Sequence, residues 1–167
     1  MLTLYLIRHA KSSWDDALQA DFHRPLNARG LRDAPAMGKY FAARNEPVDL
    51  FLSSPAVRAL ATARAVAHAF GRTAEEVLLE PRLYLATWTT WFEVVNALPR
   101  KAARAALFAH NPGISECCEQ LTGAGLGELP TCAMVRINFA LDDWKEVARG
   151  TGQLAWHDYP KQHAELQ

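Results

Sequence analysis

The chain has 167 residues, half of them apolar and 22% charged. That is the size and composition of one soluble globular domain, residues 1–167, with a core that needs no metal or disulfide staple. Eighteen basic side chains balance 18 acidic ones for a formal net charge of zero, which excludes nucleic-acid binding through a broad basic face but leaves room for a local cationic pocket.

Three cysteines, Cys117, Cys118 and Cys132, form neither a paired framework nor a C-x-x-C motif. They read as reduced thiols of a cytoplasmic protein. The apolar start, Met1 to Ile7, has no basic lead and is cut short by Arg8-His9, so neither a signal peptide nor a membrane span is expected.

In chain order, Leu2 to Ile7 is a short apolar run that predicts a buried strand. Residues 28 to 44 have a helical pattern interrupted by Pro35. That helix is either kinked or starts in its main part near Asp33. Leu50-Phe51-Leu52 predicts a second strand, followed by Ser54-Pro55 as a helix cap and first helical residue. The helix runs from Ala56 to Phe70 and is stopped by Gly71. Thr87 to Leu98 is a third helix, ended by Pro99. Ala105 to Ala109 is a third strand, and Asn111-Pro112 repeats the cap pattern before a helix reaching about Leu121. Cys132 to Phe139 alternates as a strand does and suits a sheet edge. His157 and His163 lie in what reads as a polar tail.

Strand and helix alternate, which predicts an α/β fold with a mostly parallel sheet covered on both faces. In such sheets ligands sit beyond the carboxyl ends of the strands. His9, Ser54 and His110 each follow a predicted strand and should meet along that edge. Arg8 adds a cation beside His9. Arg58 falls one turn into the helix after Ser54, where free backbone N–H groups favour anions and a guanidinium fork suits phosphate oxygens. His110 supplies a second imidazole. Each residue alone has a bland reading as a polar loop or surface side chain. Two histidines and two arginines at one edge are harder to read as structural.

Three segments carry a resemblance. Leu6-Ile7-Arg8-His9-Ala10, Ser53-Ser54-Pro55-Ala56-Val57-Arg58-Ala59 and Ala109-His110-Asn111-Pro112-Gly113 resemble, in order and spacing, the signatures of the histidine phosphatase superfamily. Ser12-Ser13-Trp14, Asp21 with Arg24-Pro25-Leu26, and Pro130-Thr131-Cys132-Ala133 are similar to its SixA-type phosphohistidine phosphatase branch. The resemblance implies a three-layer, phosphoglycerate-mutase-like α/β/α fold without a large lid insertion. It implies His9 as a nucleophile that becomes phosphorylated, with Arg8, Arg58 and His110 around the phosphoryl group and no metal or other cofactor. Two arginines and an imidazolium would supply the charge that magnesium supplies elsewhere. Ser54 joins Arg8, Arg58 and His110 as a substrate-binding residue.

Three positions depart from the superfamily pattern. Ala10 stands where glycine is usual, which would be strained at positive φ. Asp15 stands where relatives carry a phosphate-contacting asparagine, so it should turn away or pair with a cation. The region of Leu83-Tyr84-Leu85, where many members place a leaving-group acid, is apolar. Glu80 and Glu93 are the nearest carboxylates and fit that role poorly. A site without the acid suits a phosphoramidate or an activated phosphate better than an alkyl ester.

The favoured substrate is therefore protein phosphohistidine. A small phosphorylated metabolite is the alternative, and a low-turnover phosphoryl-binding module is a reading of a different class. No nucleic-acid or membrane partner is expected. Trp88, Trp91 and Phe92 read as an apolar helix face, and Asp21 with Arg24 as a loop ion pair.

Overall fold

A computed structural model describes residues 1–167. Six strands form one sheet: β1 (Leu2–Arg8), β2 (Leu50–Ser53), β3 (Val77–Leu79), β4 (Arg104–Ala109), β5 (Met134–Phe139) and β6 (Gly152–Asp158). Their spatial order is β3-β2-β4-β1-β5-β6. β1, β4, β2 and β3 pair in parallel, while β5 runs antiparallel to both β1 and β6. Only β5 is reversed, so the mostly parallel sheet expected from the sequence is what forms.

The helices α1 (Ala28–Ala42), α2 (Val57–Ala69), α3 (Trp88–Asn96) and α4 (Gly113–Thr122) make the outer layers. Strand alternation builds two cores. Leu2, Leu4 and Leu6 of β1 face one way, with Trp91, Val95, Ile114 and Cys117 from α3 and α4. Tyr5 and Ile7 face the other way, with Met37, Phe41, Ala63 and Val66 from α1 and α2. Trp91 is thus core, as its helical spacing predicts.

Several expectations are corrected. Cys132 to Phe139 is not an edge: β5 lies between β1 and β6. The supposed polar tail contains β6, whose exposed and half-buried residues alternate as an edge strand requires. Pro35 lies inside α1, which starts at Ala28 under an Asn27 cap accepting from the Gly30 N–H. Neither Ser54 nor Asn111 caps a helix. The caps are Ala56 and Pro112, without side-chain bonds, because both polar side chains are engaged elsewhere. The Asn111 amide donates to the Leu129 carbonyl, and its Oδ1 accepts from Ser115. Glycine matters at Gly113, where a Cβ would run into the Ala86 carbonyl. That close approach lets α4 begin directly behind His110.

Candidate active site

The adjacent parallel strands β2, β4 and β1 end together, and the residues that follow them are Ser54, His110 and His9. A cavity of about 280 Å³ opens at this edge, lined by residues that include Arg8, His9, Lys11, Arg24, Arg58 and His110. Four basic side chains face it against one carboxylate, that of Asp21. A neutral protein thus carries a local cationic pocket. No group of three or more His, Cys, Asp or Glu side chains is placed to hold a metal ion.

His9 is buried, and two hydrogen bonds set its tautomer. Nδ1 lies 2.7 Å from the Ala10 carbonyl, which can only accept, so Nδ1 carries the proton. Nε2 accepts from Arg58 Nε at 3.3 Å, so Nε2 holds the lone pair. Ala10 does not take a positive φ. Its N–H donates to Thr62 Oγ1, and its side chain is fully buried. Alanine therefore replaces the usual glycine without backbone strain. Asp15 is exposed and away from the cavity, as expected.

Burial first, then the charges of Arg58, Arg8 and Arg24, hold the His9 pKa down to about 4 against the pull of the Ala10 carbonyl. The same causes, burial ahead of Arg58 and His9, put His110 at about 3. His110 is thus a neutral imidazole in the free protein, which corrects the imidazolium expected from the sequence. Its Nε2 lies 2.7 Å from Ser54 Oγ, and its Nδ1 is buried without a partner in the chain. Arg8 donates from Nη1 to the Leu129 carbonyl at 2.7 Å, while its buried Nε also has no partner.

Arg58 is the second residue of α2, not one turn into it, and is only 4% exposed. The reading of a solvated surface arginine is excluded. Its Nη1 and Nη2 donate to the backbone carbonyl and the carboxylate of Asp21 at 2.6 and 2.9 Å. Asp21 also accepts from Arg24 Nη1 and the Tyr84 hydroxyl. Partial burial alone would raise its pKa, but these donors hold it at about 2. Arg24 is buried, donates to Ser12 and Ser13, and stacks on the Trp14 ring. Asp21 and Arg24 are thus a pair built into the pocket wall. The ion pair expected from the sequence is present, Arg24 Nη1 to Asp21 at 3.0 Å, and it faces the cavity. The signal for them in the sequence is an arginine three residues after an acid, directly before Pro25.

The region without an acid keeps that character. Leu85, 62% exposed with φ at 51°, lies at the pocket in place of a carboxylate. Both oxygens of Glu80 bind Arg82, and Glu93 is exposed outside the cavity. His23 and His68 are exposed and line no part of it.

The chain is similar to known proteins in sequence and in fold. A sequence profile described as the histidine phosphatase superfamily (branch 1) matches residues 4–93. An uncharacterized protein of Mycobacterium tuberculosis (strain H37Rv) is 31% identical over 93% of this chain and 100% of its own. A solved structure from Agrobacterium tumefaciens, assigned as a phosphohistidine phosphatase SixA, superposes with a TM-score of 0.79 at 25% identity, covering 95% of this chain and 98% of that one. A protein histidine phosphatase SixA complexed with tungstate gives a TM-score of 0.80 at 20% identity over 96% and 99% of the two chains, a likeness of fold. The chain belongs to the histidine phosphatase superfamily, a class of phosphoryl hydrolases. Within that superfamily it falls in the SixA-type branch, with a compact α/β fold and no large insertion.

Two expected results follow from the geometry. Arg58→Lys keeps the charge but loses the fork that spans His9 and Asp21, so turnover should fall about 10²–10³-fold, the scale of a lost transition-state donor. Steady-state kinetics on an aryl phosphate checks this, and wild-type behaviour would make Arg58 a purely structural side chain.

The second concerns pH. Unfolded imidazoles titrate near 6.5, whereas His9 and His110 sit at about 4 and about 3 when folded. The unfolded chain binds more protons below pH 6.5, so the stability these groups contribute is full above that value. It is lost as pH falls toward their folded pKa values, at roughly 2 kcal/mol per imidazole between pH 6.5 and 5. Urea unfolding at pH 7, 6 and 5 should show the decline. A His9→Asn/His110→Gln variant should show a flatter one.

Proposed function

We propose that this chain is a cofactor-independent phosphatase of protein phosphohistidine, acting as one domain in a cytoplasmic setting. The observation that carries the reading is the state of His9. It is a buried neutral imidazole, protonated on Nδ1, with its Nε2 lone pair among the guanidinium groups of the pocket. Nε2 attacks phosphorus while the bond from phosphorus to the substrate nitrogen breaks. The substrate imidazole leaves neutral, having carried a proton on its other nitrogen. Water then attacks the phosphorylated His9 and releases inorganic phosphate. Arg8, Arg58 and His110 stabilise the transferring group, so positioned charge does the work. The buried unpartnered Nε of Arg8 and Nδ1 of His110 support an anion as occupant.

Substrate class follows from the rim. The acid that an alkoxide leaving group wants is replaced by Leu85, and Trp14, which also lines the cavity, is 72% exposed. Two exposed apolar side chains, Leu85 and Trp14, on a cavity otherwise lined by polar and charged groups support a histidine presented on a protein surface as the substrate. The test is a comparison, in the presence of a strong chelator, of a phosphohistidine protein with glycerate and sugar phosphates. Expected are unchanged turnover with chelator and a kcat/KM about 10²-fold or more in favour of the phosphohistidine protein, the contribution of a missing acid. A preference for the small esters would support a metabolite phosphatase. Turnover restored only by a divalent ion would overturn the charge argument.

A further inference from the structure

His110 sits 5.2 Å from His9, ring centre to ring centre, with only one side-chain hydrogen-bond partner, Ser54. The contact of 2.7 Å between Ser54 Oγ and His110 Nε2 has two directions open to it, and they make opposite histidines. Donation by the serine leaves the imidazole proton on Nδ1. Donation by the ring leaves Nδ1 as a bare lone pair.

A count of partners decides between them. Ser54 is fully buried, so its hydroxyl proton needs an acceptor inside the chain. Its oxygen makes one other contact, with the Ala56 N–H at 3.3 Å, and there it can only accept. His110 Nε2 is then the one acceptor left for the hydroxyl proton. Ser54 donates, Nε2 accepts, and the ring proton stays on Nδ1. That Nδ1 is shielded from solvent and has no partner in the chain. With the proton on Nδ1 the ring keeps a donor free for an anion, whereas a lone pair there would repel one.

We propose that Ser54 is a positioning residue: by donating its hydroxyl proton to Nε2 it fixes the proton of His110 on Nδ1. A neutral histidine thereby becomes a ready donor to the transferring phosphoryl group. Ser54 acts through His110 and does not itself touch substrate, in contrast to the substrate-binding role read from the sequence. The use made of this donor rests on the phosphatase reading, but the tautomer does not. The same oxygen accepts from the Ala56 N–H, and α2 begins after it at Val57 without a side-chain cap.

The test needs no turnover at its first step. In protein labelled with ¹⁵N in the histidine rings, with His110→Gln for assignment, His110 at pH 7 should show a protonated Nδ1 and a bare Nε2. Titrating inorganic phosphate should move the Nδ1 resonance. A protonated Nε2 in the wild type would overturn the proposal, whatever the enzyme does. Ser54→Ala should spread the ring over both tautomers and lower kcat about 10- to 100-fold, the scale of a lost partner that orients a functional histidine, with KM little changed. In a His110→Ala background the same substitution should cost nothing further. An equal loss in both backgrounds would show that Ser54 acts on substrate directly. If Ser54→Ala does not fold, the wild-type ring spectrum decides the question alone. If no substrate is turned over while the tautomer is as stated, the phosphatase reading fails and the Ser54 assignment stands.

Discussion

Aryl phosphates and phosphohistidine should be hydrolysed at least about 10²-fold faster than alkyl phosphates such as glycerol phosphate. The span follows from what a general acid contributes, about 10²–10⁴ in rate. An alkoxide must be protonated as it departs, and the pocket position from which a carboxylic acid would do this holds Leu85. Asp21 is the only carboxylate lining the cavity, and three donors keep it ionised to about pH 2, so it has no proton to give near neutrality. Glu80 is clamped by Arg82 on both oxygens, and Glu93 points to solvent outside the cavity. Glu80→Gln and Glu93→Gln should therefore stay within a few-fold of wild type. A plot of kcat/KM against leaving-group pKa should be steep, and a flat plot, or a crippled Gln variant, would show an acid recruited from elsewhere.

His9→Ala should lower turnover about 10⁴- to 10⁶-fold, the scale of removing a nucleophile from a site whose parts act as a unit. The loss should not be shared evenly among neighbours. Arg8 and His110 each supply one donor with no partner in the chain, so removing either costs a donor and leaves the covalent route open. Removing His9 closes it. The fold should survive His9→Ala, because the imidazole makes only two hydrogen bonds, one to its own neighbour's carbonyl and one from Arg58, which keeps its bonds to Asp21. Near-normal activity in a folded His9→Ala protein would end the nucleophile assignment.

The part of the site that follows strand ends was legible in the sequence. His9, Ser54 and His110 could be placed because apolar runs predict parallel strands, and parallel strands bring their carboxyl ends together. Arg8 and Arg58 came with them. What was not legible depends on side-chain packing over long distances. Nothing in the string shows that Asp21 reaches Arg58, 37 positions away, or that Tyr84 donates to the same carboxylate. The charge state of His110 was misjudged for the same reason. Burial among cations is a property of the assembled pocket, and it outweighs the usual imidazole pKa.

The two helix starts were placed too early because serine and asparagine are good caps in isolation. Here Ser54 faces His110, and Asn111 reaches the loop at Leu129. The last strand was missed because β6 is an edge, with too few apolar residues to mark it. At the fold level, the resemblance and the alternation of elements agreed, and the sheet order bears both out.

The most direct measurement is the identity of the covalent intermediate. Enzyme mixed with an activated aryl phosphate and quenched within milliseconds in alkaline detergent should carry one phosphoryl group. That group should be stable to alkali and labile to acid, and peptide mass spectrometry should place it on His9, attached through Nε2. No intermediate on any timescale down to that of a single turnover, or a phosphoryl group on another residue, would contradict the account.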